Sequence, residues 1–153
     1  SRAHFARALI DRGAVADVAE AFERYLSSGR PAYVPAPSVS VTDAVALAAK
    51  AGGVAVLAHP GRLAAGERDR VLGEVLEAGI DGIELWHSQH NAELRRSLAG
   101  LVERHGLLAT GGSDYHGRHK PGVRVGTGSA GNVAVPPHRL ADLQARLAAR
   151  GPA

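Results

Sequence analysis

From residue 40 onward the sequence alternates, at short and regular intervals, between helical patterns and brief apolar runs. That alternation constrains the fold more than any other feature. The spacing predicts a helix over roughly 41–51, stopped by Gly52-Gly53, and then the continuous apolar run Val54-Ala55-Val56-Leu57-Ala58. A run of this kind reads as a strand buried on both faces. A second helix is expected over roughly 66–78, with Leu72, Val75 and Leu76 on one side and Gly79 at its end. The strand Gly82-Ile83-Glu84-Leu85-Trp86 follows. A third helix over roughly 91–105 places Leu94, Leu98, Leu101 and Val102 at helical spacing and stops at Gly106. Leu107-Leu108-Ala109-Thr110 reads as a third strand. After a glycine-rich stretch, Val133-Ala134-Val135 is a candidate last strand, and Pro136-Pro137 leads into a helix carrying Leu140, Leu143 and Leu147. Strands separated by helices of this length call for parallel pairing, in an open α/β sheet or a barrel.

Ahead of this pattern, residues 3–35 read as two helices and a stiff exit. Phe5 and Leu9 lie one turn apart before Gly13, and Asp17 with Glu20 has the spacing of a capping box. Val18, Phe22, Tyr25 and Leu26 mark one apolar face, and Pro31, Pro35 and Pro37 forbid a further helix.

Composition narrows the chemistry. The 153 residues are 45% hydrophobic and 22% charged, values of an ordinary globular domain with a buried core. With no Cys, a disulfide scaffold, a thiolate zinc site and a cysteine nucleophile are all excluded. Any metal site must use His, Asp and Glu. The net charge is +3 and the arginines are scattered, so stable binding of duplex DNA is not expected. Aromatics at 4% do not make a stacking platform for single strands. No apolar run reaches the ~18 residues of a membrane span. No signal-peptide pattern is present either, so a cytoplasmic location without membrane contact is expected.

The candidate ligands fall at the ends of the predicted strands. His59 follows the first, in Ala58-His59-Pro60-Gly61-Arg62. Glu84 lies in the second, with His87 and His90 after it. Asp114 and His116 follow the third, in Gly111-Gly112-Ser113-Asp114-Tyr115-His116-Gly117. Parallel α/β folds gather their active sites at the C-terminal strand ends. Imidazole and carboxylate without sulfur suit Mn²⁺, Zn²⁺ or Fe²⁺. The Asp114-x-His116 spacing would put both side chains on one side of an extended segment. Each residue alone also has a plain structural reading. His59 can be a loop residue, Asp114 a turn cap, His116 a solvated side chain, and Glu84 the partner of an arginine or a helix end. His87 and His90 can simply start the next helix.

Val54–Arg62, Gly79–Trp86 and Gly111–Gly117 together resemble the later motifs of the polymerase-and-histidinol-phosphatase (PHP) superfamily. The upstream stretch from His4-Phe5-Ala6-Arg7-Ala8-Leu9 to Gly29-Arg30-Pro31-Ala32-Tyr33-Val34-Pro35 resembles its nucleoside 3′,5′-bisphosphate phosphatase and 5′-to-3′ RNA exonuclease branch. The resemblance implies part of a distorted (β/α)7 barrel preceded by a small helical insertion. Residues 1–37 would then be the end of the insertion and residues 38–153 the C-terminal part of the barrel. It also implies a metal-dependent phosphoesterase with two or three divalent ions, commonly manganese, acting on nucleotides or short RNA 5′ ends. His59, Asp114 and His116 match metal ligands. Arg2 and His4 match an Arg-x-His element that faces the substrate phosphate, with His4 able to protonate the leaving oxygen. Arg62 matches a second phosphate contact. The family opens with a His-x-His strand and further ligands that do not occur in this sequence. The chain begins Ser1 and contains no Met, so it is expected to be the second half of such a protein. Other readings are a non-catalytic remnant that binds a partner or an anionic ligand, a histidinol-phosphate phosphatase, and a polymerase-associated PHP domain.

Overall fold

A computed structural model describes residues 2–35, 38–117 and 120–151. The chain divides into two compact units, Ser1–Ser38 and Val39–Ala153.

In the first unit, α1 (Arg2–Asp11) leads through a turn at Gly13 to α2 (Val18–Ala21), which continues as a π-helical turn over Phe22–Leu26. Asp17 caps α2, its side chain accepting the Glu20 N–H at 2.9 Å. The Glu20 carboxylate reaches back one residue further than a capping box would, to the Ala16 N–H at 2.7 Å. Ala6, Val15, Ala21 and Leu26 form this unit's small core.

The second unit carries the alternating pattern. Ser40 caps α3 (Val41–Lys50) by accepting the Asp43 N–H at 3.0 Å. β1 (Val56–Leu57) follows, then α4 (Ala65–Glu77), β2 (Gly82–Trp86), α5 (Ala92–His105) and β3 (Leu108–Gly111). Asn91 caps the start of α5, and Gly106, left-handed at φ 60°, closes its end. The strands lie side by side in the order β1-β2-β3, all parallel, with Val56 opposite Gly82 and Gly82 opposite Leu108. The fold is therefore α/β around a parallel three-stranded sheet. Ile83, Leu85 and Ala109 of the sheet pack with Leu72 of α4 and Leu98 of α5. Ile83 and Leu98 are fully buried, each contributing about 1.5–3 kcal/mol of hydrophobic stabilisation.

Two expectations are corrected. β1 is two residues long, not five, because the Ala55 N–H is taken by the Asp81 side chain at 2.8 Å. Residues 133–135 are not a strand: the Val133 N–H bonds the Thr127 carbonyl at 3.0 Å, and Val133 is buried beneath a short antiparallel hairpin. That hairpin pairs β4 (Val123–Arg124) with β5 (Gly128–Ser129). The last helix, α6 (His138–Ala148), forms as expected after Pro136-Pro137 and packs on β3, although Leu140 on it is exposed.

Candidate active site

Three strand ends build one edge. β1 runs out at Leu57, and His59 beyond it holds a left-handed backbone at φ 40°. Pro60–Arg62 then closes a single 3-10 turn, the Arg62 N–H on the His59 carbonyl at 3.0 Å. A left-handed residue before proline is doubly disfavoured, by its own Cβ and by the proline ring. Glu84 of β2 holds it in place, Oε2 accepting the His59 N–H at 2.7 Å. Glu84 thus meets the backbone of a strained residue, not an arginine or a helix end.

β2 shifts register against β3 between Glu84 and Trp86, and the chain then turns back so that the His90 N–H reaches the His87 carbonyl at 3.1 Å. The turn carries both imidazoles inward. His87 is fully buried and His90 is 4% exposed, so neither simply starts α5 in solvent. The ring of His90 spans two loops. Its Nδ1 donates to the Leu85 carbonyl, and its Nε2 accepts the Gly61 N–H, each at 3.1 Å. A Cβ at Gly61 would stand 2.5 Å from the His90 ring, which is why a glycine occupies this turn. Burial, first of all, pushes the His90 ring below its ordinary pKa, outweighing the hydrogen bond to Leu85 that favours the charged form.

Beyond β3, Asp114 is also left-handed, at φ 53°. The expected extended Asp-x-His segment is therefore a turn. It is the turn, not the pleat of a strand, that brings His116 back onto Asp114. The His116 Nδ1 donates to the Asp114 carbonyl at 2.8 Å and lies 3.4 Å from Oδ1. The Asp114 carboxylate is 7% exposed, whereas the His116 ring is 58% exposed. Lys120 donates its ammonium to Oδ2 of Asp114, and the His87 Nε2 faces the same oxygen at 3.5 Å. Burial alone would push the Asp114 carboxyl up. Lys120, His87 and His116 outweigh it and hold the group below the ordinary carboxylate range, so it is ionised.

These contacts decide which side chains suit a metal. A ligating imidazole needs a lone pair and an ionised carboxylate needs no further proton loss. With Nδ1 donating to a carbonyl, neutral His116 carries its lone pair on Nε2, the arrangement common for metal-binding histidines. Asp114 offers carboxylate oxygens. The donor set present is nitrogen and oxygen, which fits a borderline divalent ion. Among the described residues, no group of three or more His, Asp or Glu side chains could hold a metal by itself.

Of the residues singled out from sequence, His59, Asp114 and His116 come to this edge. His87 stands between them, its ring 5.5 Å from that of His59. Arg62 lies exposed on the turn after His59. Arg2 and His4 are exposed on α1 of the first unit, where the Arg2 guanidinium lies 5.6 Å from the Tyr33 ring centre. Sequence reasoning left Glu84, His87 and His90 without roles. Their signal was position, on or just past the end of a strand, and the pattern does not say which way a loop histidine points.

No family model matches the chain. Individual proteins do. Over 128 residues, 82% of the chain and 45% of the relative, it is 42% identical to the 3′,5′-nucleoside bisphosphate phosphatase of Chromobacterium violaceum. Over 118 residues, 76% of the chain and 40% of the relative, it is 37% identical to the 5′-3′ exoribonuclease Rnm of Escherichia coli. The fold matches a crystal structure from Bifidobacterium adolescentis called a metal-dependent phosphoesterase. The TM-score is 0.75 and the identity 34%, covering 95% of this chain and 50% of the other. The resemblance to PHP-type phosphoesterases is thereby supported. The chain spans about half the length of the PHP-type relatives it matches. Among the described residues no helix is long and apolar enough to cross a membrane.

Proposed function

We propose that the chain supplies part of the active site of a cytoplasmic metal-dependent phosphoesterase that hydrolyses phosphate esters of nucleotides or of short RNA 5′ ends. The observation that carries this reading is the convergence at one sheet edge of His59, Asp114 and His116, two of them on left-handed backbone. Strain held at a strand end by specific hydrogen bonds is a mark of a functional position. The three-stranded sheet is read as part of a distorted (β/α)7 barrel, with residues 1–37 as the end of a helical insertion.

In this reading His59, Asp114 and His116 are metal ligands, for two or three divalent ions in the complete site, with manganese favoured and zinc or iron as alternatives. A bound divalent metal supplies Lewis-acid polarisation of the phosphoryl group and lowers the pKa of water. The chain's own groups do the rest. Asp114, already ionised, contributes negative charge without releasing a proton. His116, fixed by its Nδ1 hydrogen bond, turns the Nε2 lone pair outward from the Asp114 turn. Arg62, exposed one turn from His59, offers a planar guanidinium to phosphate oxygens. Arg2 and His4 lie in the other unit, and their role in meeting phosphate and protonating the leaving oxygen rests on the Arg-x-His element alone.

The test is manganese-dependent hydrolysis by the complete gene product, read as release of phosphate or of mononucleotide. Substrates are a nucleoside 3′,5′-bisphosphate and a 5′-phosphorylated oligoribonucleotide, with His59→Ala and Asp114→Ala alongside. Activity on either substrate that both substitutions abolish supports the reading. Full activity in both variants overturns it.

A further inference from the structure

We infer that His87 and His90 are positioning residues of opposite tautomer. His87 presents a proton on Nε2 to the Asp114 carboxylate, and His90 presents a lone pair on Nε2 to the backbone of the His59 turn. The inference deepens the proposed function, since it takes Asp114 and His59 as ligands.

A neutral imidazole has one N–H and one lone pair. At His87 the lone pair is spent: the Gln89 N–H donates to Nδ1 at 3.1 Å. The proton therefore resides on Nε2. That atom is fully buried and has no hydrogen-bond partner. A buried donor of this kind is costly to leave unmatched, and the acceptor in front of it is Oδ2 of Asp114 at 3.5 Å. The separation is longer than a hydrogen bond, and Lys120 occupies the same oxygen. The two donors differ in freedom. The Lys120 side chain is about one-third exposed and can swing into solvent, whereas the His87 ring is sealed in the fold. With Lys120 swung out, His87 is the donor left facing Oδ2.

The same accounting at His90 gives the opposite answer. The Leu85 carbonyl can only accept, so the proton is on Nδ1, and the Nε2 lone pair belongs to the Gly61 N–H. Neither ring then has a lone pair to give a metal. Ligation by His87 would require deprotonation to imidazolate, or loss of the Gln89 bond. The two rings thus orient, from one turn after β2, the ligand beyond β3 and the ligand beyond β1.

Long-range ¹H–¹⁵N correlation spectra of the metal-free chain read the tautomers directly, with His87→Gln and His90→Gln assigning the rings. The expected result is Nε2–H for His87 and Nδ1–H for His90. In Asp114→Asn the His87 Nε2–H signal should shift while the His90 pattern stays. A proton on Nδ1 of His87, or a His87 signal indifferent to Asp114→Asn, overturns the inference. So does a zinc titration that removes the Nε2 proton, because His87 is then a ligand. Calorimetry of the complete gene product with Mn²⁺ adds a second reading. His87→Leu should weaken binding ~10–100-fold, and His87→Gln, which restores an N–H donor, should recover most of it. Equal affinity of all three proteins, each binding Mn²⁺, counts against the positioning role. If the unsubstituted protein binds no Mn²⁺, the metal reading of the proposed function fails and the spectra alone decide this inference.

Discussion

The two ends of the three-stranded sheet are built from similar residue types and put them to opposite use. At the N-terminal end, Asp81 is buried at 3% exposure and fully matched. Its Oδ2 accepts the Ala55 N–H, and Oδ1 meets Arg150, which also donates to the Gly53 carbonyl, with Arg146 at 3.8 Å. Arg146 in turn donates to the Gly106 carbonyl at 2.8 Å. These bonds tie separate stretches of the chain together, and the one left-handed residue among them is a glycine, Gly106. At the C-terminal end, His59 and Asp114 sit on left-handed backbone, a buried imidazole nitrogen lacks a partner, and a lysine stands on the carboxylate. The first end spends its charges on cohesion. The second holds strained and under-matched groups in place, and only the sealed core between the ends, around Ile83 and Leu98, makes that affordable.

The sharpest way to break this contrast is to remove one carboxylate from each end. Asp114→Ala should lower phosphoesterase activity of the complete gene product at least ~100-fold if Asp114 is a ligand, the loss expected when metal chemistry is disabled. Urea denaturation should find a smaller stability loss than for Asp81→Ala, since Lys120 can turn to water and the His87 Nε2 makes no hydrogen bond to the carboxylate that could be lost. Asp81→Ala should behave in reverse. Its loss removes an acceptor from Ala55 and a partner from Arg150, costing about 2 kcal/mol in urea denaturation, while activity per folded molecule is kept. Equal stability losses in the two variants would erase the distinction between the ends.

A smaller effect isolates the strain. His59→Gly and His59→Ala both delete the imidazole, but only glycine adopts φ 40° without a Cβ clash. The glycine variant should therefore be more stable than the alanine variant by about 1 kcal/mol, in spite of the greater freedom of glycine in the unfolded chain. A pair of midpoints in urea decides it, and an alanine variant as stable as the glycine one would mean that the turn carries no strain.

How much of this was legible beforehand follows from what each signal encodes. β2, β3, α4 and α5 could be read to within a residue or two, because 3.6-residue periodicity, short apolar runs and glycine stops act locally. The gathering of His59, Asp114 and His116 at one edge was also readable, since strand ends of a parallel sheet share a side. The length of β1 was not, because a side chain 26 residues away, Asp81, takes the Ala55 N–H. Nor was the hairpin over residues 123–129, although Gly126 and Gly128, both at positive φ, were its local cue. The inward aim of His87 and His90 depends on a register shift in β2 and on lone pairs matched to backbone groups of two other loops. No periodicity in the sequence records such matches.

The least of the expected effects tests whether the second end is tuned as well as strained. Burial holds the His90 ring below its ordinary pKa of 6.5 in the folded protein. Above pH 6.5 the ring is neutral in both states and adds no pH dependence. As pH falls through 6.5 the unfolded chain takes up a proton that the folded chain refuses, so stability declines. The decline continues until the lower folded value is passed. Thermal midpoints should therefore fall between pH 7 and pH 5 more steeply in the parent than in His90→Gln, which keeps a side-chain acceptor for Gly61 but does not titrate. Parallel profiles for the two proteins would show that His90 ionises as freely in the fold as in the open chain. The neutral, lone-pair-donating ring assigned to the His59 turn would then be wrong.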